Sequence, residues 1–204
     1  MAATEIRITG FGGQGVILCG YIIGKAASIF SDHHATLTQS FGPEARGSAC
    51  SAQVVVNASR VLYPYVTSPG ILVAMSRDGY HTHKETLTKS GTLIYDQDLV
   101  ELDPDVHVKA AYGISATRIA EELGRKIVSN IVMVGFFGAV TQLVEKDALR
   151  QAVESSVPDG TQELNLKAFD IGWEEGAECR ASEMKAAQPK LKGKRRVAGT
   201  AAGG

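Results

Sequence analysis

Cysteine is scarce in this 204-residue chain: Cys19, Cys50 and Cys179 are the three present, and no two stand in a CxxC pair. That spacing excludes a cysteine-ligated iron–sulfur cluster or zinc knuckle built within the chain. No apolar run approaches the ~20 residues of a membrane span. A formal net charge of -1 offers no field to draw in nucleic acid or an anionic membrane, so neither is expected as a partner. The chain enters Ile6-Arg7-Ile8 almost at once, leaving no room for a signal peptide, and the expectation is a cytoplasmic protein. Histidine is also sparse, at His33, His34, His81, His83 and His107. His81-Thr82-His83 can chelate a metal if extended, but no third ligand stands close by. A solvated loop or helix start is the simpler reading, and no metal site is expected.

What is present suits a soluble core: 44% hydrophobic and 21% charged residues. A chain of this length buries roughly 70% of its unfolded surface without disulfides or metal. Ile6–Thr9 alternates like a first strand and runs through a glycine turn into an apolar helical pattern from Val16 to Ala27. Ala35–Gln39 and Ala52–Val56 read as strands separated by a polar, glycine-rich segment. Ile71–Met75 is apolar throughout, as expected of a strand buried on both faces. Thr82–Lys89 reads as a short helix, Thr92–Asp96 as a strand and Val106–Ala111 as a weaker strand. Helices follow over Ala116–Leu123, with Ser115 as cap, then Ser129–Leu143, Asp147–Ser156 and Glu163–Glu178. Gly135 and Gly138, three apart, point to close helix packing. Strands alternating with helices predict a single three-layer α/β/α domain with a mostly parallel sheet over residues 1–183. From Met184 onward Lys and Arg punctuate Ala, Gly, Pro and Gln, the composition of a disordered basic tail, 184–204.

Gly10, Gly12 and Gly15 fit G-x-G-x-x-G at a strand-to-helix junction. Such glycines permit a tight turn and a close approach to phosphate, while the helix N-terminus supplies oriented N–H groups. A dinucleotide site also wants an acidic residue about 20 positions on, at the end of the second strand. Here that strand ends Thr38-Gln39-Ser40, and Asp32 precedes it. Three readings therefore stand: another phosphate-bearing ligand on Gly10, Phe11, Gly12, Gly13, Gln14 and Gly15, a purely structural turn, or, least favoured, a nicotinamide or flavin dinucleotide.

Thr38–Ser51 is the most unusual stretch. Gly42-Pro43 and Arg46-Gly47 mark turns, and Glu44 and Arg46 set opposite charges side by side. Carboxyl ends of parallel strands are where α/β domains build sites, so this segment is expected to face the glycine turn. Arg46 can fork onto a phosphate or carboxylate, or pair with Glu44 within or between subunits. Gln39, Ser40, Glu44, Arg46 and Gly47 join the candidate binding residues. Cys50 has no histidine nearby in sequence and small apolar neighbours, which makes it a buried thiol rather than a nucleophile. Tyr63-Pro64-Tyr65 presents two aromatics on an extended backbone, as an interface anchor would.

Arg7-Ile8-Thr9-Gly10-Phe11-Gly12-Gly13-Gln14-Gly15, followed by Thr38-Gln39-Ser40-Phe41-Gly42-Pro43-Glu44-Ala45-Arg46-Gly47 and Cys50-Ser51-Ala52, resembles the gamma subunit of the pyruvate, 2-oxoglutarate and branched-chain 2-oxoacid:ferredoxin oxidoreductases. Tyr63-Pro64, Leu72–Ser76 and Asn130 ahead of Val134-Gly135 extend the likeness over residues 5–178. Ser48 departs from it, standing where a second glycine is commoner, and the basic tail has no counterpart. The resemblance implies oxidative decarboxylation of a 2-oxoacid, 2-oxoglutarate foremost, with coenzyme A, giving acyl-CoA, carbon dioxide and reduced ferredoxin. It implies partner alpha and beta subunits, and a possible delta subunit, carrying thiamine diphosphate and iron–sulfur clusters. Ferredoxin would be reached through the complex. This chain would scaffold that assembly and help form its coenzyme A or phosphate region, with no catalytic residue of its own and no cofactor bound by it alone. The competing readings are a stand-alone NAD or FAD oxidoreductase and a non-enzymatic nucleotide-binding module.

Overall fold

The computed structural model describes residues 3–42 and 49–187, with side chains through Ser182. Glu44, Arg46 and Gly47, and the tail from residue 188 onward, lie outside the described residues. Six strands form one sheet in the order β2-β3-β1-β4-β5-β6. They are β1 (Thr4–Phe11), β2 (His34–Phe41), β3 (Ala49–Asn57), β4 (Ile71–Ala74), β5 (Thr92–Asp96) and β6 (Ala110–Ile114). The run β1-β4-β5-β6 is parallel. β3 alone is reversed, pairing antiparallel with both β1 and β2. The expected mostly parallel α/β architecture is present. The polar segment after Gln39, however, closes a hairpin: β2 and β3 extend inward to Phe41 and Ala49, and the Gly42 N–H donates to the Ala49 carbonyl at 2.8 Å.

The helices are α1 (Val16–Ile29), α2 (Arg77–His83), α3 (Ala116–Glu122), α4 (Ser129–Thr141), α5 (Lys146–Glu154) and α6 (Gln162–Ala187). The two faces of the sheet are covered unequally. Ile6, Ile8, Val54, Val73 and Ile94 point into a large core shared with α1, α3, α4, α5 and α6. The alternate residues Leu72, Ala74 and Leu93 meet a small cluster with Tyr80 of α2 and Val100, so the third layer is thin.

Several boundaries differ from the sequence reading. α2 starts at Arg77, five residues before Thr82, because the Ser76 hydroxyl accepts the Gly79 N–H as an N-cap. The chain then tightens into a 3₁₀ turn at Lys84–Thr86. The last strand is Ala110–Ile114, paired with β5 from Thr92↔Ala110, whereas Val106 and Val108 pack on the small cluster from a loop. Ser115 does not cap α3. Asp96 does, its Oδ2 accepting from the Thr117 N–H at 3.0 Å and hydroxyl at 2.6 Å. α6 runs to Ala187, beyond Glu178 and into the segment read as tail.

Glycine sets the spacing of the helical layer. α4 is apolar all round and buried from Ser129 to Val140, as a helix enclosed on every side must be. A Cβ on Gly135 would strike the Phe169 carbonyl, and one on Gly172 the Val132 carbonyl, so α4 and α6 cross backbone to backbone. A Cβ on Gly176 would stand 2.9 Å from the Phe136 carbonyl oxygen. Gly172→Ala is therefore expected to lose about 3 kcal/mol, at the upper end of core overpacking. Gly24→Ala in α1 would place its Cβ 3.8 Å from Val54 Cγ1, an ordinary contact, and should be neutral or stabilise by up to about 1 kcal/mol. Urea unfolding of the two variants checks the contrast.

Candidate functional site

The register of β3 decides what meets at the carboxyl end of β1. Phe11 lies opposite Ala49, Gly10 opposite Cys50, and Cys50 opposite Phe41. The glycine turn and the Phe41–Ala49 end of the β2–β3 pair therefore lie at the same end of the sheet; the residues between Gly42 and Ala49 lie outside the described residues. Gln39 and Ser40, both exposed, cannot serve one contact. Gln39 pairs with Ala52 on the face that carries α1, and Ser40 pairs with Ser51 on the opposite face.

Within the turn, Gly13 (φ 98°) and Gly15 (φ 73°) take left-handed conformations that a side chain disfavours. Gln14 holds the turn together. Its Oε1 accepts the Phe11 N–H at 2.7 Å and its Nε2 donates to the Met75 carbonyl at 2.9 Å. This side chain bridges the loops after β1 and β4, the point where α1 departs to one face and α2 to the other. Such a switch point is where open α/β sheets have their crevice. A Cβ on Gly10 would stand 2.5 Å from Gln14 Oε1, so Gly10 is needed for the bridge. Gln14 thus engages Phe11 N–H internally, and the lack of an acidic partner at the end of β2 stands beside it against a dinucleotide fingerprint.

The start of α1 is different. Gly15 is its N-cap, no side chain caps it, and its first turn holds no acidic residue. The first N–H groups and the positive end of the helix dipole are therefore not neutralised by side chains. A cavity of about 440 Å³ opens beside Gly15, lined in part by Leu18, Asn130, Thr161 and Arg125. Asn130 packs against Gly15 so closely that a Cβ there would strike its amide. Its carbonyl accepts from the Cys19 thiol at 3.3 Å. Sequence reasoning missed Arg125: it stands in an unremarked turn after Gly124, and only the fold brings it into the lining of the cavity that Gly15 shares.

Burial pushes the Cys19 thiol up to about 12 and raises Cys50 as well, so neither is an activated nucleophile. His83 is half-buried, and its Nδ1 is engaged by Arg7 Nη1 at 3.2 Å, which removes that nitrogen from metal duty with His81. Tyr63 and Tyr65 are exposed and meet edge to face at 5.5 Å. Their loop is tied down where Val66 accepts from Arg7 Nη2 and donates to Gln53 Oε1. That combination of exposure and anchoring suits the interface role read from Tyr63-Pro64-Tyr65.

No helix among the described residues is long and apolar enough to cross a membrane. The Pyruvate ferredoxin/flavodoxin oxidoreductase family model matches residues 5–175. The chain is 45% identical over 173 residues to the 2-oxoglutarate synthase subunit KorC of Methanocaldococcus jannaschii, covering 83% of this chain and 92% of that one. It is 47% identical over 176 residues to the KorC subunit of Methanothermobacter thermautotrophicus, covering 83% and 93%. Its fold matches the crystal structure of a keto/oxoacid ferredoxin oxidoreductase gamma subunit from Geobacter sulfurreducens with a TM-score of 0.76 and 36% identity, over 86% of this chain and 99% of that one.

The Gln14 bridge has a measurable consequence. Gln14→Ala leaves the Phe11 N–H and the Met75 carbonyl without this partner and should cost about 1–3 kcal/mol. Gln14→Glu keeps the shape but sets an acceptor against the Met75 carbonyl, and should cost at least as much at neutral pH. Chemical denaturation measures both, and a wild-type midpoint for either variant would show that the bridge does not hold the turn.

Proposed function

The chain belongs to the pyruvate ferredoxin/flavodoxin oxidoreductase family, and from that membership we propose that it is the gamma subunit of a 2-oxoacid:ferredoxin oxidoreductase of the 2-oxoglutarate type. The observation that carries this reading is identity of 45–47% to two KorC subunits over more than nine-tenths of their length. The complex would decarboxylate its 2-oxoacid oxidatively with coenzyme A, releasing acyl-CoA and carbon dioxide and reducing ferredoxin. Thiamine diphosphate and iron–sulfur clusters belong, in this proposal, to alpha, beta and delta partners in the cytoplasm.

The role proposed for this chain is to scaffold the assembly and to complete the coenzyme A region at the carboxyl edge of β1. Three features support it: the start of α1 bare of acidic residues, Arg125 in the adjoining cavity, and the hairpin end beside the glycine turn. Arg46, on the segment that closes the hairpin, is the side chain suited to fork onto a phosphate. The ligand would come to this edge by binding, with bond-making left to the partner subunits.

Two outcomes are expected. The isolated chain, given thiamine diphosphate, coenzyme A and 2-oxoglutarate, should reduce no dye, and activity from it would defeat the subunit reading. In the assembled complex, Arg46→Ala should raise the KM for coenzyme A about ten- to hundredfold, the effect of losing a charge-assisted hydrogen bond. An unaltered KM in a complex that dissociates more readily would make Arg46 an interface residue instead.

A further inference from the structure

The face of the sheet opposite α1 carries a polar feature that the glycine turn does not explain. α2 lies against β1 at Gly79, where a Cβ would stand 2.5 Å from Thr9 Oγ1. Between α2 and the β2–β3 hairpin is a cavity of about 260 Å³, whose lining includes Arg7, Thr9, Ser40, Ser51, Thr82 and His83. Among the described residues that line it, none is acidic.

Arg7 is the cation of this cavity, and its charge is incompletely answered. Nη2 donates to the Val66 carbonyl at 2.9 Å and Nη1 to His83 Nδ1 at 3.2 Å, while Nε is buried with no partner. A guanidinium offers five N–H donors, so most of the fork is unused by these two bonds. No described carboxylate forms an ion pair with it. Glu5, on the same face of β1, favours the Arg7 charge through space, but its carboxylate is engaged by the Thr67 and Ser68 N–H groups at 2.8 and 2.9 Å. Burial and the charge of Arg7 together hold His83 below the usual histidine range, so its neutral ring accepts at Nδ1 and carries its proton on Nε2. A half-buried cation with no carboxylate in hydrogen-bond reach is poorly compensated, and an oxyanion beside it would improve the balance.

We propose that this cavity is an oxyanion site, taking one phosphate or carboxylate group of a small ligand on Arg7, Thr9 and Ser51, with Ser40 at its mouth. Its volume falls below the roughly 300 Å³ at which pockets begin to enclose whole ligands, so it would hold one group of a larger molecule or a small anion. The site goes beyond the coenzyme A reading. It lies on the other face of the sheet, shares only Ser40 with the candidate residues, and does not require the subunit assignment.

The test uses the full chain and follows the His83 ring by NMR across pH, in phosphate, in acetate and in chloride of equal ionic strength. The ionisable side chains facing the cavity from the packed elements are Arg7 on β1 and His83 on α2; Cys50 lines it from β3, but its thiol packs in the main core on the other face, where burial raises it. An oxyanion beside Arg7 should move the His83 midpoint upward. Movement in phosphate alone assigns a phosphate group, and movement in acetate alone a carboxylate. Movement in both assigns a site for either. Arg7→Lys, which keeps a charge but loses the fork, should weaken binding about ten- to hundredfold. Ser40→Glu, at an exposed position that leaves the fold intact, should abolish it by repulsion. A midpoint indistinguishable among the three salts overturns the proposal, as does binding that neither variant weakens.

Discussion

The reversal of β3 is the constraint on which the edge of this sheet depends. A parallel strand between β1 and β2 would need a crossover, with its loops sent to the far end of the sheet. An antiparallel strand closes a hairpin instead, and places both hairpin termini, Phe41 and Ala49, level with Phe11 at the carboxyl end of β1. The glycine turn and the hairpin end become neighbours although about thirty residues separate them in sequence. The same register turns Arg7, Thr9, Ser51 and Gln53 to the face away from α1, while Ile6, Ile8, Ala52 and Val54 fill the main core. One topological choice yields an apolar face for packing and a face with polar side chains at this end of the sheet.

The glycine turn then does two jobs in different parts. Gly10 and Gln14 build a strut across the switch point, fixing the turn to Met75 at the end of β4. Gly15 leaves the start of α1 uncapped against Asn130, on a cavity that Arg125 also lines. A glycine signature usually read as one phosphate cradle is here part strut and, in the proposed function, part anion-receiving edge. The helical layer behind it is equally rigid, since Gly135, Gly172 and Gly176 bring α4 and α6 into backbone contact. A domain built this way suits holding an edge in place for partners more than opening and closing around a substrate.

Much of this was legible in the residues. The alternation of β1, the apolar run of β4 and the uniformly apolar α4 each carried their own periodicity, and Gly135 with Gly138 announced a close helix contact. The ends of elements were harder, for local reasons. Ser76 begins α2 through a cap to Gly79, but Gly79 itself weakens the helical pattern there. Asp96, on a different strand, took the capping role that adjacency assigned to Ser115. Among site residues, the contiguous glycine turn was visible because its spacing is local. The pairing of Gln14 with Met75, and the cavity that Arg125 shares with Gly15, join positions about sixty and one hundred and ten apart. No local pattern encodes such pairings.

In the proposed function this chain contributes the carboxyl edge of β1 to the coenzyme A site of an assembled 2-oxoacid oxidoreductase. A photoactivatable coenzyme A analogue, bound to the intact complex, irradiated and mapped by peptide sequencing, tests it most directly. Labelling of this chain within residues 10–15 or 39–47, suppressed by excess coenzyme A, is the expected result. Labelling confined to the partner subunits, at full occupancy of the complex, would contradict it.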